Sequence, residues 1–311
     1  MKLVIFYLTS DSRHYTFPHF VSLLDKSVKK NQWKLLVLTN SEDTEFYEGA
    51  LITSSINNQV VKVQTDNNYM DKVKFAIEYS HTNNIPYMMK CDNDIFLTHK
   101  TLDYMIENLS VLDGKEHLTL GPTLSSGIPG IEYFKRQFLS ADEREILDTH
   151  FSETHFRNMD DAEYAQLNVY TYGSDSWDSE KFFQGVKAFN HHYKGIHPIR
   201  VNFEAISYLN ECILNNKACF FDDQPSSLIK NDSSPYLCNS IFCIRTDIYN
   251  KIINDPSLFV DQFDEVPLNK YANRESMNHV FVENGFAIHI LYNWFKNLTT
   301  YELDFTNKLF S

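Results

Sequence analysis

Two carboxylates one residue apart, Asp92 and Asp94, stand in the stretch YMMKCDNDIFLTH at positions 87–99. An apolar run, Tyr87-Met88-Met89, leads into Asp92-Asn93-Asp94, and Ile95-Phe96 resumes the apolar pattern. In an extended chain alternate side chains point the same way, so both carboxylates can face one point while Asn93 turns aside. Two hard oxygen ligands suit Mg²⁺ or Mn²⁺, ions that keep several waters and share the phosphates of a substrate. A strand-ending turn favours the same residue types, so the triplet alone leaves both readings open. An EF-hand is excluded, because Phe96 stands where a third ligand is required.

The elements that must position these groups follow from periodicity. Residues 2–8, 33–38, 60–63, 87–89 and 118–120 read as strands. Between them, Phe20, Leu23, Leu24 and Val28, then Met70, Val73 and Ile77, then Leu102, Met105, Ile106 and Leu109 recur at helical spacing. This alternation predicts an α/β fold: a Rossmann-like, mostly parallel sheet flanked by helices. In such sheets ligands bind beyond the carboxyl ends of the strands, where Asp92 and Asp94 fall. Lys72, on the helix before the motif, is placed to reach a diphosphate or simply to be solvated.

The alternation breaks from about residue 123 to 235, a Ser-, Tyr- and His-rich stretch containing TYGSDSWDS. The chain therefore divides into a first half of the core (1–122), a large insertion (123–235) and the rest of the core (236–311). In the last part a helix is expected from about 267 to 283, then a stop at Gly285 and a final strand holding His289. On an apolar strand a histidine is either a satisfied core residue or a ligand. Asp264 and Glu265 precede Pro267, as acidic residues at a helix start do.

Composition restricts the function. The 311 residues are 43% hydrophobic and 22% charged, with a net charge of -13. That balance argues against nucleic acid and against electrostatic docking on an anionic membrane. A phosphate-bearing ligand then needs a local cation. The first apolar run is too short for a signal peptide and no stretch reaches membrane-spanning length, so a cytoplasmic protein is expected. Five cysteines at no zinc-binding spacing read as reduced thiols.

PYMMKCDNDIFLTHKTLDYMIENL (86–109) resembles the DxD segment of glycosyltransferases with the GT-A fold, most of all the β-1,3-galactosyltransferase type. PYLCNSIFCIRTDIYNKI (235–252) is similar to that group's Tyr-Cys-Ser-Gly-containing strand and following helix, with Asn239-Ser240 in place of Ser-Gly. FDEVPLNKYA (263–272) is similar to its Glu-Asp-Val segment, with the acidic pair inverted. The resemblance implies a GT-A-like fold and transfer of a sugar from a nucleotide-sugar, a UDP-sugar first among them, to a glycan or other hydroxyl acceptor. It implies Mn²⁺ or Mg²⁺ on Asp92, Asp94 and His289, and donor contacts from Thr9, Ser10, Asp11, Lys72 and Asn93. Glu265, with Asp264 second, would be the general base of an inverting reaction. Tyr172, Trp177, Asn239 and Ser240 would face the acceptor. Two other readings share the residues. Haloacid-dehalogenase-like phosphatases also carry Asp-x-Asp after a strand, although Phe96 stands where they expect Thr or Val. A non-catalytic sugar-binding module could use the same fold.

Overall fold

A computed structural model of the chain describes residues 1–9, 11–40, 44–63, 69–126, 130–151, 203–230, 237–259, 264–290 and 299–311. Four strands run parallel along one side of its sheet, with β3 at the edge: β1 (Leu3–Leu8), β2 (Trp33–Thr39), β3 (Asn58–Lys62) and β4 (Tyr87–Asp92). With β5 (Ile95–Leu97), β6 (His117–Leu124), β7 (Ser227–Lys230), β8 (Ile241–Arg245) and β9 (Asn278–His289) they form a sheet of order β3-β2-β1-β4-β8-β6-β9-β5, with β7 also on β9. All six side chains of β1 are buried, because helices cover both faces. Leu3, Ile5 and Tyr7 pack with α1 (Phe17–Leu24) and α4 (His99–Glu107). Val4, Phe6 and Leu8 pack with α3 (Tyr69–Thr82) and the helix Thr246–Ile253. In register, Leu8 lies opposite both Leu38 and Asp92, so the carboxyl ends of β1, β2 and β4 come level.

The α/β architecture expected from the sequence is present, and the arrangement is consistent with a GT-A-like, Rossmann-type fold. It is more mixed than strand–helix alternation implies. β8 lies antiparallel between β4 and β6, and β5 is antiparallel to β9. Elements without a clear periodic signal are also present: α2 (Glu45–Leu51), β5, β7 and a C-terminal helix, Thr299–Phe310. The helix expected over 267–283 instead spans Glu265–Glu275 and stops at Ser276, which is left-handed (φ 53°). The β-branched and aromatic residues that follow enter β9.

Gly285 is not a stop. It lies inside β9, where the register with β6 jumps from Pro122–Val282 to Thr123–Phe286. A Cβ at Gly285 would lie 2.5 Å from Val282 Cγ1 and 3.1 Å from Thr101 Cγ2, so this bulge requires glycine.

The boundary drawn at 122 falls inside β6. Two described pieces of the 123–235 segment belong to the body of the protein. Phe134 and Phe138 of α5 (Gly130–Phe138) and Ile206 and Leu209 of the helix Phe203–Asn215 pack with Phe286 and Ile288 of β9. Tyr172 and Trp177 lie outside the described residues. No helix among the described residues is long and apolar enough to cross a membrane. The five cysteines are free thiols.

Asp223, 2% exposed, ties the approach to β7 to the start of α4. It accepts hydrogen bonds from Thr98 Oγ1 (2.6 Å) and from Thr101 Oγ1. Thr98 also caps α4 by accepting from Thr101 N at 3.2 Å. Burial pushes the Asp223 carboxyl up to about 6, and the two hydroxyls only partly oppose it. A carboxyl raised in the folded state adds stability below its unfolded value of 3.8 and loses it as pH rises through 6. Asp223→Asn keeps an acceptor for both hydroxyls and removes the buried charge. Its stability relative to the wild type is therefore expected to rise by about 1–3 kcal/mol between pH 4 and pH 7.5. Urea unfolding at the two pH values checks this, and a gain independent of pH would contradict it.

Candidate active site

Alternation along β4 turns Lys90 to the same face as Asp92. The Lys90 side chain is 1% exposed, and its ammonium sits 3.3 Å from Asp92 Oδ1 and 3.8 Å from Asp264 Oδ1. It donates to Asn239 O at 2.5 Å and lies 5.0 Å from the centre of the Tyr69 ring. Burial alone would lower the Lys90 pKa, but Asp264 and then Asp92 outweigh it and raise it, so the ammonium stays charged.

Asp264, 0% exposed, caps the helix Glu265–Glu275 without a side-chain capping bond. Its oxygens are turned inward. Oδ1 accepts from Tyr69 OH (2.6 Å) and Asn239 Nδ2 (2.5 Å), and Oδ2 from Tyr249 OH (2.5 Å). Asp92, at the end of β4, keeps 27% exposure. Burial pushes its carboxyl up to about 7, against the pull of Lys90. Its backbone N–H donates to Ser240 O at 3.0 Å, which brings the residues before β8 against the end of β4.

The chain is not extended between the two carboxylates. Asn93 and Asp94 form a turn, fixed where Asn93 O accepts from Thr16 Oγ1 (2.7 Å) and Tyr7 OH (3.2 Å). The turn separates the pair: Asp92 meets Lys90, and Asp94 meets Arg13 and His289. Pairing of β5 with β9 sets Ile95 opposite His289, and Ile290 N donates to Asp94 O at 2.8 Å. Arg13 Nη1 contacts Asp94 Oδ2 at 3.2 Å. Burial alone would raise the Asp94 carboxyl, but His289 and Arg13 outweigh it and hold it below the usual range.

On the other side of this carboxylate, His289 Nε2 lies 3.4 Å from Asp94 Oδ1, which is buried and makes no hydrogen bond. His289 Nδ1 is 2.7 Å from Ser126 Oγ, and His289 N donates to Ser125 Oγ at 2.9 Å. The Ser126 contact fits either tautomer: with Ser126 Oγ donating to Nδ1, Nε2–H faces the carboxylate, and with Nδ1–H donating to Ser126, the Nε2 lone pair would face it and a bound cation would bridge the two. Ligand bonds of about 2.0–2.2 Å set adjacent ligand atoms roughly 3 Å apart, close to this spacing. Among the described residues no group of three or more His, Cys, Asp or Glu side chains is close enough to hold a metal ion. The fit is thus a two-residue one, Asp94 with His289, leaving further positions to water and substrate oxygens.

Arg13 is itself gripped from the far end of the chain. Its Nε and Nη2 donate to Glu302 Oε2 (3.2 Å) and Oε1 (2.8 Å), and Tyr15 OH donates to Oε2 at 3.0 Å. Glu302 is held there because Phe305 and Leu309 anchor the C-terminal helix among Phe96, Ile288 and Ile290.

Other expected site residues are placed differently. Thr9 is buried: Oγ1 lies 2.6 Å from Tyr47 OH, and its carbonyl accepts from Lys72 Nζ at 2.9 Å. Lys72 thus ties α3 to the end of β1. Ser10 lies outside the described residues, and Asp11 opens the 3-10 turn Asp11–Thr16. Asn239 and Ser240 are built into the Lys90 network, with Ser240 buried. Glu265 is half-buried on the first turn of its helix, and its charge is felt at Lys90.

No family model matches the sequence, and no curated protein matches it. Among solved structures, the chain is similar to a crystal structure of S. aureus TarS residues 1–349 in complex with UDP-GlcNAc, at 16% identity and a TM-score of 0.34 over 42% of this chain and 37% of that one. A second crystal structure of TarS 1–349 gives 13% identity and a TM-score of 0.32 over 41% and 37%. The matched part thus spans little more than a third of those chains.

Proposed function

We propose that the chain is a metal-dependent glycosyltransferase that moves a sugar from a nucleotide-sugar, in first place a UDP-sugar, to a hydroxyl acceptor with inversion. The observation that carries the reading is the buried Asp94 Oδ1 facing His289 Nε2, without a hydrogen bond, at the strand ends where such sheets bind ligands. Asp94 and His289 would hold Mn²⁺ or Mg²⁺, and Asp92, paired with Lys90 across the turn, would lie outside that pair. When bound, the ion supplies positive charge against the negative charge that grows on a departing diphosphate.

The chain's own residues supply the rest. Lys90 fixes Asp92, and Arg13 faces Asp94 on the other side of the turn. Asp264 has both oxygens engaged by three donors, which suits it to position the helix start rather than to take a proton. Glu265, the next residue, is then the base. The acceptor oxygen bonds to the anomeric carbon, the bond from that carbon to the diphosphate breaks, and the acceptor proton passes to the Glu265 carboxylate.

Wild-type protein is expected to gain about 2.7 kcal/mol of stability from UDP with Mn²⁺ at a hundredfold excess over the dissociation constant, and much less from UDP alone. Asp94→Ala is expected to abolish the Mn²⁺-dependent part while unfolding remains cooperative. Thermal-shift measurements with and without chelator check both. A wild-type metal dependence in Asp94→Ala would sink the reading. So would aryl phosphate hydrolysis by the wild type that Asp92→Asn abolishes, which would favour a phosphatase.

Glu265→Gln and Asp264→Asn separate the acidic pair. Glu265→Gln is expected to fold normally, bind donor normally and lose about 10²–10⁴ in turnover. Asp264→Asn is expected to lose stability first, because it leaves Lys90 with less charge to meet and forces an amide into a site lined by three donors. Turnover with acceptor, measured beside unfolding midpoints, decides. Full activity in Glu265→Gln would remove the base from this position.

A further inference from the structure

We propose that Arg13 makes cation binding conditional on a diphosphate: it is a positioning residue that opposes a divalent ion on Asp94 until a nucleoside diphosphate arrives. The inference rests on the reading of Asp94 and His289 as cation ligands. Its own basis is the charge arrangement around Asp94. One carboxylate oxygen faces His289, and the other contacts the Arg13 guanidinium. That guanidinium is 16% exposed and cannot shed its proton.

A dication on Oδ1 would therefore share a single carboxylate with a fixed positive charge. In a poorly solvated site that repulsion is weakly screened. Arg13 has no easy retreat, because Glu302 grips it through two nitrogens and Tyr15 braces Glu302. The backbone also breaks helical geometry at Arg13 (φ −133°, ψ 27°), which turns this residue out of the regular course of its 3-10 turn. A diphosphate resolves the conflict. Its oxygens ligate the ion and accept from the guanidinium, placing negative charge between the two cations. Cation and diphosphate then bind with positive coupling, and linkage requires that each strengthen the other equally.

The test measures Mn²⁺ binding with and without UDP, by the electron paramagnetic resonance signal of the free ion, after allowance for Mn–UDP formed in solution. In the wild type UDP is expected to tighten Mn²⁺ binding by about 10–100-fold. In Arg13→Gln, Mn²⁺ alone is expected to bind about tenfold tighter, and the enhancement by UDP to fall to a few-fold at most. If removing Arg13 leaves buried Glu302 too costly for folding, Arg13→Gln combined with Glu302→Gln removes one charge of each sign and is expected to show the same loss of coupling. Unchanged Mn²⁺ affinity and unchanged coupling in the folded variant would overturn the role of Arg13 while leaving the cation site standing. Absence of Mn²⁺ binding in the wild type even with UDP would overturn the cation site, and this inference with it.

Discussion

A buried ammonium, Lys90, is the charge on which the geometry of the strand ends depends. It holds Asp92 at the end of β4, Asp264 at the start of the helix Glu265–Glu275, and the Asn239 carbonyl before β8. Tyr69 from α3 and Tyr249 from the helix Thr246–Ile253 close the network by donating to Asp264. Five segments of chain thus converge on one buried network around this nitrogen. Removing one member of such a buried set leaves its partners uncompensated, at a cost of about 3–5 kcal/mol. That cost fixes the relative positions of Asp92, Asn239 and Glu265.

The second carboxylate is managed by different means. Asp94 lies beyond a turn and is neutralised by Arg13, which is in turn secured by the C-terminal helix. The strand order makes this possible. β9 passes β6, bulges at Gly285, and reaches β5 with His289 opposite Ile95, just after the turn. The bulge advances the register by three residues, an odd number, and so sets which face each side chain beyond it takes. Asp92 and Asp94 therefore have separate countercharges, Lys90 and Arg13, and of the two only Asp94 presents a buried oxygen without a hydrogen bond, toward His289.

Much of this frame was legible in the sequence. β1, β2 and β4 announce themselves as continuous apolar runs because both faces are covered, and the helices between them show their stripes. The antiparallel β8 was legible as a strand but not in direction, since direction is set by a distant pairing with β4 rather than by local pattern. The 278–283 stretch reads as helix because its hydrophobic residues follow directly on a helical stripe. The left-handed Ser276 that divides them carries no strong local signal. Lys90 was within reach of sequence reasoning: it sits two residues before Asp92, on the same face of a strand that had to be buried. The Arg13–Glu302 pair was not, because its members are 289 residues apart and each alone reads as an ordinary surface charge.

The most direct test of the account is a crystal structure with Mn²⁺ and UDP, read by anomalous scattering at the manganese edge. The account predicts one strong peak between Asp94 and His289, within about 2.0–2.3 Å of Oδ1 and Nε2, with diphosphate oxygens completing the shell. UDP bound at the strand ends with no anomalous peak there, or with manganese held elsewhere, would contradict it.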